Sequence, residues 1–444
     1  MSLRNFPDAN TSITLDFRKG KKLDPRITFE RASSATEIGE GTGFVNGQVF
    51  EFQEDAPRLT DKGLLIEKAG TNFTLNSTVF STGYKKYGMK NPTDNVALAP
   101  DGTTTAATMY EDASTNNYHN FFDDGYGVGD AGDYAFSIFV KGIGRDYVNL
   151  RTLSDTSGGV WHCVTFALIG EGAITQEESG PGANYTNLSR SIQSVGNGWY
   201  RITLGATNPN STVKIWPWIL EGTDGPTPDL IAPYGGNRYD GDTTKGYQLW
   251  GLQVEEGATF STSYIPTSGA EVTRAEDICK ITGTVDGSLV DDISSWFNSS
   301  GGTFVTEFNG IGHRSNGSLA MYLNFTRGSS RLEFNFEGTV QLFHNTQAGW
   351  GDSSYSMQFG QNNKSALSAN FLDGSGAFTN NGKSPKVTAP IAPGDPVPGD
   401  FQANRMAFGY TLYQTRGYGV SGYIKRFAYY PTQVSNDSLE ALTF

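Results

Sequence analysis

Cysteine is nearly absent: Cys163 and Cys279 are the only two, and they stand far apart. One distant pair supports neither a disulfide framework nor a cysteine metal site, so both are expected as buried free thiols. Histidine is as scarce, with His119, His162, His313 and His344 scattered along the chain. Lys and Arg number 33 against 46 Asp and Glu, a net charge of −13 that denies nucleic acid its basic footprint. No apolar run approaches a membrane span, which argues against membrane insertion. The opening "MSLRNFPDAN" lacks the apolar core of a signal peptide, so synthesis in a cytoplasm without that export route is expected.

Helix periodicity is missing almost everywhere, and strand alternation takes its place. "DYAFSIFVKG" puts Tyr134, Phe136, Ile138 and Val140 on one face, and "GNGWYRITLGA" does the same with Tyr200, Ile202 and Leu204. "RLEFNFEG" sets Leu332, Phe334 and Phe336 against Glu333, Asn335 and Glu337. Glycine reaches 55 residues and charge only 18%, a composition that suits short strands joined by tight turns. One helix signal stands out, "VSNDSLEAL", where Ser435 or Asn436 can cap a short turn ahead of Leu439 and Leu442. The expected fold is all-β: two jelly rolls, lectin-like β-sandwiches, at 81–270 and 271–444, preceded by an extended segment over 1–80. "SPKVTAPIAPGDPVPGD" reads as a long loop inside the last block.

"ITFERASSATEI", "APRLTDKGLLIEKAGTNFTLNSTVFS", "VGNGWYRITL", "YQLWGLQVEEGATFSTSYIPT" and "VTRAED" follow one another along the chain. In that order they resemble tailed-bacteriophage virion proteins of the tail-fibre, tailspike or head-decoration type. The first block is similar to carbohydrate-binding modules of the family-4/9 kind. The second, by its "GYIKRFAYYPTQVSNDSLEAL" ending, resembles a laminin-G-like or concanavalin A-like jelly roll. The resemblance implies a lead-in whose small residues let backbones approach closely, with Arg31 satisfying carbonyls or a carboxylate through its planar fork. "VTRAEDI" echoes that motif, and Arg274 would make the same subunit or interdomain contact between the blocks.

"GVGDAG" matches a dinucleotide fingerprint, but a strand follows it where a helix is required. The surrounding loop holds Asp123, Asp124, Asp130 and Asp133, so a structural calcium stays open without EF-hand spacing; no other cofactor is implied. No paired carboxylates at glycosidase spacing and no nucleophile elbow occur. The expectation is a non-enzymatic chain. A Tyr/His/Arg lyase grouping stays open, because its members need not be neighbours in sequence.

"STVKIWPWILEG" is apolar on both strand faces, with Val213, Ile215, Pro217 and Ile219 on one and Lys214, Trp216, Trp218 and Leu220 on the other. Two tryptophans at i and i+2 lie about 7 Å apart, which suits stacking on successive sugar rings. The competing reading is a strand covered on both sides by protein. Pro217 cannot donate to a sheet ladder and suggests an edge or bulge. Trp216 and Trp218, with Trp161 in "SGGVWHCVTFAL", are the candidate carbohydrate-binding residues. The expected function is a virion protein that binds host surface glycan, assembles as a trimer and contacts other virion proteins. A purely structural decoration or connector protein is the alternative.

Overall fold

The computed structural model describes residues 10–18, 22–41, 43–123, 132–153, 161–179, 186–208, 218–220, 238–281, 283–285, 288–290, 293, 296–313, 319–325, 331–335, 340–344, 347–348, 359–371, 375–388, 403–408 and 420–444. Apart from the α-helix Asn436–Ala441, every named element among them is a strand, and every named ladder is antiparallel. The fold is all-β. No helix among the described residues is long and apolar enough to cross a membrane.

Two compact units divide the chain. Unit 1 takes Met1–Ser34, Phe52–Ala69 and Ala275–Phe444; unit 2 takes Ala35–Glu51 and Gly70–Arg274. The first 80 residues, expected as an extended segment, supply strands to the sheets. Ile13–Asp16 pairs with Val420–Tyr430, and so does Gly63–Ile66, which Arg58–Thr60 extends. Ile27–Glu30 pairs with Ile278–Ile281. These ladders join the opening stretch to the C-terminal block within unit 1.

Unit 1 holds an eight-stranded and a seven-stranded sheet. Their shared core includes Ile13, Leu15, Leu64, Cys279, Phe304, Phe308, Phe408 and Phe427. The short helix follows the capping logic of its sequence, with Ser435 Oγ accepting the Ser438 N–H. Leu439 and Leu442 pack with Val305 and Tyr430 in a smaller cluster.

Unit 2 is a sandwich of two six-stranded sheets. The first runs, in spatial order, Thr186–Ser194, Tyr200–Asn208, Gly132–Ile143, Gly246–Glu256, Ala106–Tyr110 and Thr93–Ala97. The second runs Ala173–Ser179, Trp161–Ala167, Tyr147–Leu153, Trp218–Leu220, Asn120–Asp123 and Tyr84–Tyr87. Between them lie Tyr134, Phe136, Ile138 and Val140 with Tyr200, Ile202 and Leu204, the faces read from the alternation, opposed by Phe121, Leu150 and Val164. Gly251, at a left-handed φ of 64°, marks a bulge; a Cβ there would come within 2.8 Å of the Phe139 ring. The bulge lets Leu249 and Leu252 both reach the core.

One expectation changes here. Trp218–Leu220 is hydrogen-bonded on both sides, to Asn120–Asp123 and to Tyr147–Leu153, so it is an interior strand, not an edge. Pro217 and Trp216 lie outside the described residues, as do Asp124, Asp130, the side chains of Trp161 and Trp218, and those of the 331–335 strand. Both cysteines are free and buried, Cys163 in unit 2 and Cys279 in unit 1.

Candidate functional site

Cross-strand partners share a sheet face, and successive residues alternate between faces. In the second sheet of unit 2 one row reads Phe121, Ile219, Leu150 and Val164, and its described side chains line the core. The rows on either side of it therefore fall on the outer face. One reads Asn120, Leu220, Asn149, Thr165 and Gln176; the other reads Phe122, Trp218, Arg151, Cys163 and Glu178. Position 161, two residues before Cys163, belongs to the same face. Backbone register thus gathers positions 218 and 161 beside a set of polar residues that sequence reasoning did not single out.

The outer face departs from an ordinary solvated sheet. Asn149 and Thr165 are 0% exposed, Arg151 1% and Asn120 3%, while Tyr87 at the far margin is 52% exposed. Yet Asn149 Oδ1 and Nδ2, Thr165 Oγ1, Asn120 Oδ1 and Gln176 Oε1 have no hydrogen-bond partner among the described residues. Leaving a buried polar group unmet costs about 1–3 kcal/mol. Native structures keep such groups where a ligand, ion or ordered water serves them. Gln176 keeps one contact, donating from Nε2 to Glu178 Oε1 at 2.6 Å.

The alternation of "YVNLRTL" and "WHCVTFA" was readable: Val148 and Leu150 in, Asn149 and Arg151 out. What alternation cannot report is that the outward set is buried.

A second grouping in unit 2 brings His119, Tyr239, Arg145 and Glu111 together. Arg145 donates to Glu111 from Nε at 2.7 Å and Nη2 at 2.8 Å; the Tyr239 hydroxyl and the Asp242 N–H each donate at 2.9 Å. His119 stacks on Tyr239 with centroids 4.1 Å apart, and Arg145 lies over the same ring. Burial opposes charge on Glu111, but the donors from Arg145 and Asp242 prevail and hold its carboxyl below the usual range. Burial, then neighbouring Tyr247 and Glu111, pushes the Tyr239 phenol up. Burial pulls His119 down.

The two motif arginines are both buried. In unit 1 Arg31 is 1% exposed; its Nη1 reaches Asp277 Oδ1 at 3.2 Å, its Nε the Ser33 carbonyl at 2.8 Å, and its Nη2 the Gln53 and Ala56 carbonyls at 2.7 and 3.0 Å. Asp277 Oδ2 accepts from Arg58 Nη2 and, at 2.8 Å, from the Glu67 N–H. Arg58 Nη1 closes the quartet on Glu67 Oε2 at 2.7 Å. Arg274, 2% exposed, ends a strand of unit 2 that pairs with Gly70–Asn72. Among the described residues no three His, Cys, Asp or Glu side chains gather as a metal site. Of the acidic loop, Asp133 accepts a hydrogen bond from Thr207 Oγ1.

No family model and no curated protein matches this chain. Among solved structures it is similar to the CBM40 of Ruminococcus gnavus IT-sialidase bound to α2,3-sialyllactose, with 18% identity over 32% of this chain and 82% of that one, at a TM-score of 0.25. It is similar to Trypanosoma rangeli sialidase in complex with sialic acid at 10% identity over 76% and 60% of the two chains, TM-score 0.26. A mutant of that sialidase displaying trans-sialidase activity gives 10% identity, 81% and 63% coverage and a TM-score of 0.27. The presence of sialidases among these structures overturns the expectation that the chain is no enzyme. Likenesses this slight put no activity in its place.

Proposed function

We propose that the chain is a glycan-binding virion protein of a tailed bacteriophage, and that its saccharide is held on the outer face of the second sheet of unit 2. One observation carries the binding site: the row Asn120, Asn149, Thr165 and Gln176, buried or half-buried and each with a polar atom unmet among the described residues. Amides and hydroxyls both donate and accept, as sugar hydroxyls do, so the row offers complementary pairing without charge. Neighbouring strands lie about 4.8 Å apart, which makes the row about 19 Å from Asn120 to Gln176. By backbone register positions 218 and 161, the tryptophans expected from the sequence to meet sugar rings, fall on the same face. The virion role rests on the ordered motifs of the sequence. In this reading host surface glycan is the ligand, other virion proteins are partners, and the chain forms a homotrimer.

The test is binding of the purified chain to host surface polysaccharide, with Asn149→Leu as the variant. Wild type should bind and Asn149→Leu should lose most of that affinity while melting no lower. Equal binding by the two proteins, or none by wild type, rejects the site. Light scattering reports the oligomer, and a monomer at micromolar concentration rejects the trimer.

A second reading, cleavage of the bound saccharide, is favoured by the convergence of His119, Tyr239, Arg145 and Glu111. Release of reducing ends by wild type but not by Tyr239→Phe would establish it; no release by wild type rejects it.

A further inference from the structure

The outer face of the first sheet of unit 2 carries a cavity of about 320 Å³, separate from the polar row on the second sheet. Its floor includes Lys141 and Gln248, cross-strand partners on adjacent strands. Trp199 and Leu98 form part of one wall, tied together because the Trp199 indole N–H donates to the Leu98 carbonyl at 3.2 Å. The rim is apolar and open: Val45 is 61% exposed, Val96 49% and Leu98 58%. A volume of this size is at the lower end of small-molecule sites, and three exposed aliphatic side chains around one opening are unusual on a surface with so little charge.

The charge inside is one-sided. Lys141 is the only ionisable residue lining the cavity, and no Asp or Glu lines it. Among the described residues Lys141 makes no ion pair, whereas Arg18, Arg26, Arg31, Arg58, Arg145 and Arg426 all do. Its stem passes over Gly198: a Cβ there would come within 3.3 Å of Lys141 Cε. A lysine whose cross-strand neighbour is a glutamine, both lining a cavity with aliphatic walls, is complementary to a compact anion with an apolar flank.

We infer that this cavity binds a small carboxylate, with Lys141 and Gln248 taking the carboxylate oxygens and Val96, Leu98 and Trp199 facing the body of the molecule. The carboxylate can belong to an acidic sugar or to a short aliphatic acid. This site stands on Lys141 and does not depend on the glycan reading of the other sheet.

The full-length chain is titrated with glucuronate, with hexanoate and with neutral glucose, followed by calorimetry. Saturable binding of glucuronate, hexanoate or both, at least tenfold tighter than glucose, is expected; the acid that binds identifies the source. Lys141→Met, which keeps the stem over Gly198, should lose at least tenfold in affinity at unchanged melting temperature, and Asn149→Leu should bind the acid like wild type. Binding of neither acid, equal binding of glucose, or wild-type affinity in a folded Lys141→Met overturns the inference. Should Lys141→Met unfold, Lys141→Gln replaces it, judged by the same fold-change.

Discussion

Arg31 and Asp277 meet at 3.2 Å with both side chains fully buried, although 246 residues separate them in the chain. The first motif supplies the guanidinium and its late echo supplies the carboxylate. Asp277 also takes Arg58 on its other oxygen, and Glu67 balances Arg58, so two cations and two anions are buried together. Each ion lost from water is matched inside the quartet, and carbonyls absorb the remaining donors of Arg31.

Removing one member leaves the rest uncompensated. Asp277→Ala should destabilise unit 1 by about 3–5 kcal/mol. Asp24→Ala provides the contrast, since its pair with Arg26 is similarly close at 2.7 Å but a quarter to a third exposed, and should cost no more than about 1 kcal/mol. Urea denaturation of both variants checks this. Equal losses would mean that burial does not set the difference.

Asn149→Leu is expected to hold or raise stability, an unusual result for a fully buried polar residue. Both amide atoms lack partners among the described residues, so an apolar side chain of similar size removes a penalty of about 1–3 kcal/mol. A melting temperature well below wild type would show that the amide is satisfied after all.

Acid should weaken the fold before the carboxylates titrate. Burial, with a smaller contribution from Arg190, holds His162 down from 6.5 to about 4, although Glu177 lies 3.2 Å from its Nε2. Above pH 6.5 neither folded nor unfolded chain is protonated there. Below it the unfolded chain takes a proton that the folded chain refuses, so stability falls by roughly 3 kcal/mol on reaching pH 4. His119, also lowered by burial, adds loss of the same sign. Denaturation series at pH 7, 6 and 5 should show the slope, and His162→Gln should flatten part of it. A wild-type profile level from pH 7 to 5 would reject this account.

Much of the strand architecture was legible because alternation is a local property. Tyr134, Phe136, Ile138 and Val140 face the core as their spacing required, and Ser435 caps its helix as its neighbours required. The outward set, Asn149, Arg151 and Thr165, was legible as polar but not as buried, because burial depends on what crosses over a sheet. The place of "WIL" within that sheet was not legible either: Pro217 argued for an edge or a bulge, and pairing on both sides came from strands some 70 to 100 residues earlier. Arg31 was visible as an arginine with donors to place. Its partner could be found only once Ile27–Glu30 had been laid against Ile278–Ile281.

Ser435→Ala removes the side-chain acceptor for the Ser438 N–H and should cost about 1 kcal/mol. Because Leu439 is fully buried in the cluster with Val305 and Tyr430, the loss should appear in the unfolding of unit 1 as a whole. Hydrogen exchange that quickens only at residues 436–441 would show instead that the helix frays alone.

The division of the chain has a consequence for its synthesis. The polypeptide passes between units at 34/35, 51/52, 69/70 and 274/275, so unit 2 is complete when Arg274 has left the ribosome, whereas unit 1 still lacks its entire third stretch. Until Asp277 emerges, Arg31 and Arg58 have only Glu67 as a quartet carboxylate, and until Val420–Tyr430 follows, Ile13–Asp16 has no partner strand and Gly63–Ile66 has only Arg58–Thr60. Nascent unit 2 can close first, and the early strands must wait until Val420–Tyr430, near the end of translation, has been made. A truncated product ending soon after Arg274 would therefore carry one finished sandwich and a set of incompletely paired, apolar strand edges, the substrate that chaperones and proteases recognise.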